Sequence, residues 1–282
     1  MISTERETSW TGRIIKAGAD IFTRASSPES RKSIWERFPE LKKIPEDRWP
    51  QNVFIVPDGN GRWAAARKLA VQAGHERGAD VIVQAFKDFS ELSNHIPYIG
   101  AWGLSMDNLN RPKEEVDFLM DLFNTTLTRL RPDLQKRENR FIHIGRKDIF
   151  EDYAYVRETI EETEKLTQNN KGQTVYIAIG FSGEDQDLRI AQGIANYVRM
   201  YPNLQITREI IESLRDGNGY IPPADLVIRS SGEKRLSDLG WLAGRQTELY
   251  FDKTLFPSFS TKNFVKALVD FSRRERRFGK RL

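Results

Sequence analysis

The chain contains no cysteine and only three histidines among its 282 residues. Without cysteine there are no disulfide frameworks, no thiol nucleophiles and no cysteine-ligated zinc. Long apolar runs are missing too. Aliphatic stretches such as Val53-Phe54-Ile55-Val56 fall far short of the roughly 20 residues that a membrane-spanning helix needs. The first 30 residues hold Glu5, Glu7, Asp20 and Glu29 and no continuous apolar segment, so no signal peptide is expected and a cytoplasmic location is. Charge is nearly balanced, with 44 Lys plus Arg against 40 Asp plus Glu, a net of +4. Residues 273–281 read RRERRFGKR, six basic against one acidic, so this segment holds +5 and the remainder of the chain −1. Such a block reads as a solvated tail, as an anion site built from Arg273, Arg274, Arg276 and Arg277, or as a nucleic-acid contact. It is one short block with a single aromatic, Phe278, so nucleic-acid binding is not expected.

What is present suffices for one core of ordinary size: 39% of the residues are hydrophobic and 19 are glycine, which excludes global disorder. Residues 1–48 differ from the rest. Trp10, Ile14, Ala17 and Ile21 recur at helical spacing and predict an amphipathic helix over 10–24. Pro28 opens a second predicted helix over about 28–38, and Pro45 and Pro50 close this helical extension.

Beyond it, strand-like and helix-like stretches alternate. Strands are predicted at 53–56, 98–104, 140–144, 174–179, 225–229 and 248–251, with Gly172 and Gly180 marking element ends. Helices are predicted at 76–92, 112–131, 150–168, 185–200, 207–215 and 261–277. This alternation implies a single α/β domain over 49–282, with a central, mainly parallel sheet flanked by helices. In such sheets ligands bind beyond the carboxyl ends of the strands.

Three strand ends carry chemistry. After the first comes Pro57-Asp58-Gly59-Asn60-Gly61-Arg62-Trp63. Asp-Gly and Asn-Gly suit a hairpin turn, but the following AAARKLA is helix-like, which favours a phosphate cradle at a helix start. Asp58 suits a divalent cation, because Mg²⁺ takes one or two carboxylates together with phosphate oxygens. The second strand leads into Ser105, Met106, Asp107, Asn108, Leu109, Asn110, Arg111 and Pro112. There Asn110 either caps the helix opened by Pro112 or belongs to a polar loop beside the first one. The fifth strand runs into Arg229-Ser230-Ser231-Gly232-Glu233-Lys234-Arg235-Leu236-Ser237, which is either a polar surface loop or a second diphosphate site with bidentate arginine donors. Of the histidines, His75 starts a helix near the first loop and can donate to a phosphate. His95 reads as a surface residue and His143 as a packed one.

Taken together, PDGNGRWA, AGH, SMDNLNRP, DLVIRSSGEKRLS, ELYF and RERRFG resemble, in order and spacing, the motifs of the cis-prenyltransferases, the undecaprenyl diphosphate synthase family. The resemblance covers about residues 52–279. It implies a single α/β domain, a homodimer, Mg²⁺, and condensation of isopentenyl diphosphate with an allylic diphosphate to form a Z double bond. Contact with a membrane through the lipid product would follow from the same activity. By position, Asp58 resembles the family's essential metal- and diphosphate-associated aspartate. Gly59, Asn60, Gly61, Arg62 and Trp63 resemble its substrate loop, and His75 a further allylic-phosphate contact. Ser105, Met106 and Asp107 match a stretch usually written Ser-Thr-Glu. Asn108 matches the assigned proton acceptor and Arg111 a substrate contact. Arg229, Arg235, Leu236 and Ser237 resemble the isopentenyl diphosphate site, and Glu248 a glutamate associated with Mg²⁺. The chain departs from the pattern at Val71, where many members carry arginine and where Arg67, Lys68 or Gln72 are the nearby substitutes. It also departs at Leu109, a frequent tryptophan, and at Gly180-Phe181-Ser182-Gly183-Glu184, where Asn-Tyr-Gly-Gly-Arg is typical.

Overall fold

The structure, a computed structural model, describes residues 32–244, 246–277 and 279. The helix expected over 10–24 lies outside the described residues, as does the Pro28 start of the second. The chain divides into two units between Lys43 and Ile44, ahead of the boundary expected after residue 48. In the first unit Ser33 caps a short helix, α1 (Ile34–Arg37). The Ser33 hydroxyl accepts from the Glu36 N–H at 3.3 Å, and the Glu36 carboxylate accepts from the Ser33 N–H at 2.8 Å. This reciprocal box satisfies two of the donors a helix start leaves open. A 3-10 turn, Pro39–Lys43, follows.

The second unit holds a six-stranded sheet: β1 (Asn52–Val56), β2 (Tyr98–Ser105), β3 (Arg140–Ile144), β4 (Thr174–Phe181), β5 (Leu226–Arg229) and β6 (Glu248–Phe251). All six predicted strands form, in the order β3-β4-β2-β1-β5-β6, and every pairing is parallel. β4 runs on through Gly180, at φ +65°, to Phe181, so this glycine is a bend inside the strand and not its end. Side chains alternate across each strand. Phe54, Val56, Ile142, Ile144, Tyr176, Ala178 and Val227 share one cluster with Ile221, Trp241 and Leu242. On the other face, Phe141, Ile177 and Ile179 meet the helices α3 (Val71–Ser90), α4 (Lys113–Lys136) and α5 (Ala154–Thr167) through Phe86, Leu127 and Ile160, around a cavity of about 30 Å³. Cover on both faces explains why the strands read as nearly continuous apolar runs.

Several helix limits differ from the sequence reading. α3 starts at Val71, a full turn before residue 76, and so takes in His75. α4 continues through Pro132 to Lys136, with Leu130 and Leu134 buried on either side of the proline. α5 starts at Ala154 after a 3-10 turn over Asp148–Tyr153. α6 (Gly183–Met200) and α7 (Arg208–Ser213) follow β4. α8 (Thr261–Arg273) ends on the first residue of the basic block, and Arg274 and Arg276 then reach back toward the sheet. Arg274 pairs with Glu248 at 2.8 Å and Arg276 with Asp225 at 2.9 Å, while Arg277 pairs with Glu275 at 3.1 Å. Those three guanidiniums thus each have a carboxylate partner within the chain.

One close approach positions the first loop. α2 (Asn60–Ala65) lies against α3 where the latter carries Gly74 and Gly78. A Cβ on Gly74 would overlap the Asn60 carbonyl group, with the carbonyl carbon at 2.8 Å, and one on Gly78 would stand 2.6 Å from Asn60 Oδ1. Alanine is favoured over glycine inside a helix by about 1 kcal/mol. Here a backbone atom blocks the added methyl, and backbone cannot swing aside as a side chain can. Gly74→Ala is therefore expected to destabilise the protein by about 1–3 kcal/mol, the usual cost of overpacking, as read from the urea midpoint. A neutral or stabilising result would mean that α2 moves freely over α3.

Candidate active site

β1, β2 and β5 are adjacent, and the loops that leave their carboxyl ends wall one cleft of about 460 Å³. From the first loop it takes Pro57, Asp58 and Asn60, and from the second Ser105, Met106, Asp107, Asn108 and Arg111. The third contributes Arg229, Arg235, Ser237 and Asp238, and α3 adds His75. Trp102, Leu119 and Phe181 give the cleft an apolar side.

Asp58 is the hub. Arg229, only 4% exposed, donates from Nη2 to Asp58 Oδ2 at 2.9 Å and from Nη1 to the Arg235 carbonyl and to Ser237 Oγ at 2.7 Å. Arg62 donates to Asp58 Oδ1 at 3.1 Å, to Ser231 Oγ at 2.8 Å and to Glu233 Oε1 at 3.1 Å. Arg235 completes the chain on Glu233 Oε2 at 2.6 Å. Burial alone would push the Asp58 carboxyl up, but the hydrogen bond and charge of Arg229, helped by Arg62, hold it below the ordinary carboxylate range. Asp58 is ionised at neutral pH, and three guanidiniums are already aimed as anion donors.

The backbone of this loop is fixed as firmly. Ser230, 1% exposed, accepts from the Asp58 N–H at 2.8 Å and donates to the Asp58 carbonyl at 2.8 Å. The Phe256 N–H donates to the same carbonyl at 3.0 Å. Gly59, at φ +98°, turns the chain toward α2, and a Cβ there would meet Leu255 at 2.8 Å. α2 has only six residues, so side chains, more than a helix dipole, supply the positive field.

In the second loop Ser105 Oγ accepts from the Asn108 N–H at 3.2 Å, and Asn108 Oδ1 accepts from the Ser105 N–H at 3.4 Å. The cap of this turn is thus Ser105, and Pro112, not Asn110, stands at the N-cap of α4. Asn108 Oδ1 keeps a second lone pair for the cleft. At the far wall Asp238 accepts from Ser182 Oγ at 2.6 Å and from the Glu184 N–H at 3.0 Å. That pairing closes the start of α6 with the serine this chain carries in its Phe181-Ser182-Gly183 segment.

Not every expected residue joins. Glu248 opens β6 at the amino end of the sheet, beside Leu226, whereas Asp58 follows the carboxyl end of β1; Glu248 pairs with Arg274 instead. Within one chain it is therefore not a second metal carboxylate, and no cluster of three or more His, Asp or Glu suited to a metal occurs among the described residues. Leu236 is 43% exposed and lies outside the cleft wall. Gly59, Gly61, Arg62 and Trp63 also stand off the wall, Arg62 behind Asp58 and Trp63 donating to Ser258 at 2.8 Å. Arg67 stacks over the Trp63 ring at 4.2 Å. Neither it nor Lys68 nor Gln72 lines the cleft. The sequence reading missed Ser230, Ser231, Glu233, Ser182 and Asp238 as working residues. The first three lay in view beside Arg229, but their partners are more than 160 positions away.

His75 is pushed down by burial first and then by the Arg111 charge, with Glu115 opposing. His143, wholly buried in β3, is also pushed down. A histidine with a depressed folded value binds its proton more readily when unfolded, so stability is lost as pH falls below the unfolded value of about 6.5. The urea midpoint should fall between pH 7 and pH 5, and His75→Gln should flatten part of that slope. An unaltered slope in His75→Gln would show that His75 titrates as it does in water.

Comparison with known proteins agrees with this geometry. The family model described as putative undecaprenyl diphosphate synthase matches residues 56–279. The isoprenyl transferase of Thermotoga maritima is 38% identical over 235 residues, covering 82% of this chain and 97% of that protein. Dehydrodolichyl diphosphate synthase 2 of Arabidopsis thaliana is 35% identical over 251 residues, 86% of this chain and 79% of the plant protein. Among solved structures, lavandulyl diphosphate synthase from Lavandula x intermedia, in complex with dimethylallyl diphosphate, superposes with a TM-score of 0.76 at 31% identity over 83% of this chain and all of that one. A parallel α/β sheet whose strand ends gather Asp58, Arg229 and Arg235 around a half-apolar cleft, read with these matches, makes the chain a member of the cis-prenyltransferase (undecaprenyl diphosphate synthase) family.

Proposed function

We propose that the cleft condenses isopentenyl diphosphate with an allylic diphosphate. In that reaction the allylic C–O bond breaks, diphosphate leaves, the acceptor alkene forms the new C–C bond, and one proton is lost. The observation that carries this reading is the alternating chain of Arg229, Asp58, Arg62, Glu233 and Arg235, which brings Arg229, Asp58 and Arg235 to one wall of the cleft, with Trp102, Leu119 and Phe181 lining the rest. Guanidiniums fixed before the reaction stabilise leaving-group charge without reorganising, and an apolar wall shields a cation-like carbon from water.

Arg229, Arg235 and Ser237 suit the acceptor diphosphate; Arg62, His75, Arg111 and the Asn60 turn suit the allylic one. Asn108, in the same wall, is placed to receive the lost proton. The donor set also suits Mg²⁺, since one ionised carboxylate beside bound phosphate oxygens is a common site for it. Asp58 is the residue that would hold the ion, and the ion would neutralise diphosphate charge. A homodimer, a catalytic domain over 49–282 and contact with lipid through the product belong to the same reading. Among the described residues no helix is long and apolar enough to cross a membrane.

Asp58→Asn keeps the shape and removes the charge shared by two arginines. Turnover is expected to fall by orders of magnitude. Stability should also fall, by about 1–3 kcal/mol, because Arg229 loses its ionic partner. Wild-type rates of radiolabelled isopentenyl diphosphate incorporation in this variant would overturn the assignment. Arg235→Ala removes one charged contact of about 1.5–3 kcal/mol and is expected to raise the acceptor KM roughly 10- to 100-fold. An unchanged acceptor KM would place that diphosphate elsewhere. Sizing the products made from C10, C15 and C20 donors reads the chain length.

A further inference from the structure

Two nitrogen side chains on the α3–α4 side of the cleft, the Arg111 guanidinium and the His75 imidazole, share one partner that does not itself line it. Arg111 Nη1 donates to Glu115 Oε1 at 3.0 Å, and His75 Nε2 stands 3.7 Å from the same oxygen. His75 and Arg111 face the cleft; Glu115, at the start of α4, stands behind them with a side chain 23% exposed. We propose that Glu115 is a positioning residue for the allylic diphosphate, one carboxylate that aims both Arg111 and His75 at it. The proposal rests on the reading that this side of the cleft receives the allylic diphosphate.

The chemistry supports a shared anchor. Arg111 follows a 3-10 turn and precedes Pro112, so its long side chain leaves an extended backbone and needs a fixed point to be pre-aimed. The i,i+4 carboxylate on a rigid 24-residue helix supplies one. His75 has the opposite problem. Arg111 lowers its affinity for a proton, and Glu115 is the charged group that opposes this. One oxygen shared by the guanidinium and the imidazole therefore lets them stand side by side facing an anion. Without it, Arg111 would be free to swing and His75 would be harder to protonate when a diphosphate arrives.

The test compares Glu115→Gln, Arg111→Ala, His75→Ala and the double variant Glu115→Gln/Arg111→Ala, each as full chain. In Glu115→Gln the allylic donor KM is expected to rise about tenfold, the usual worth of one charge-assisted contact, with the acceptor KM unchanged. Because Glu115 acts through Arg111, the double variant should be little worse than Arg111→Ala. A readout independent of turnover is the ring titration of His75 by NMR, simplified by there being only three histidines. Its midpoint should drop in Glu115→Gln. An unchanged donor KM in Glu115→Gln, or fully additive effects in the double variant, would overturn the proposal. If Arg111→Ala and His75→Ala both leave the donor KM unaltered, the allylic reading of this wall fails first and the role of Glu115 falls with it. The two failures are thereby distinguishable.

Discussion

A buried guanidinium needs a counter-charge, and in this protein Asp58 supplies it to Arg229. Arg229 is almost wholly enclosed at the end of β5, where an unpaired charge would cost several kcal/mol. Asp58 meets it from the end of the neighbouring strand. The same carboxylate holds Arg62, which holds Glu233, which holds Arg235. One ion pair thus organises two of the three loops, those that follow β1 and β5. The pair does not lock the site against substrate: Asp58 remains partly exposed, and the arginines keep further donors for an incoming anion.

The rest of the architecture keeps that pair in register. Ser230 binds both backbone groups of Asp58, and Gly74 and Gly78 let α3 approach the Asn60 turn. Parallel pairing of β5 with β1 sets Arg229 beside Val56, two residues ahead of Asp58. Small residues and one hydroxyl do this work because the groups being placed are backbone, and only small side chains leave them room.

Local pattern made the sheet and the three loops legible. Each strand is a short apolar run bounded by turn residues, and Asp58, Asn60, Asn108, Arg229 and Arg235 stand at strand ends where a parallel sheet puts ligands. Helix limits were less legible. The first turn of α3 and the stretch of α4 past Pro132 are held by tertiary packing that propensity does not encode. Side-chain pairing was the least legible. Glu233 and Ser231 sit beside Arg229 in sequence, but nothing local says that their partner is Arg62. Glu248 shows the converse: motif position suggested a metal carboxylate, while strand direction carries it to the other end of the sheet, into an ion pair with Arg274. Strand direction follows from the order in which strands join, and no single segment contains that.

Asp58 and Arg229 are separated by 171 positions along the chain, and this has a consequence for biosynthesis. Contacts at such range form late, because closing so long a loop costs entropy before any contact repays it. A ribosome-bound chain that has made β1 and β2 but not β5 has an aspartate with no buried arginine opposite it, and half of a phosphate site. The charged wall of the cleft is therefore completed only when β5 joins β1. A fragment that stops short of β5 lacks both Arg229 and Arg235, so the wall read as the acceptor site depends on two distant parts of the chain meeting.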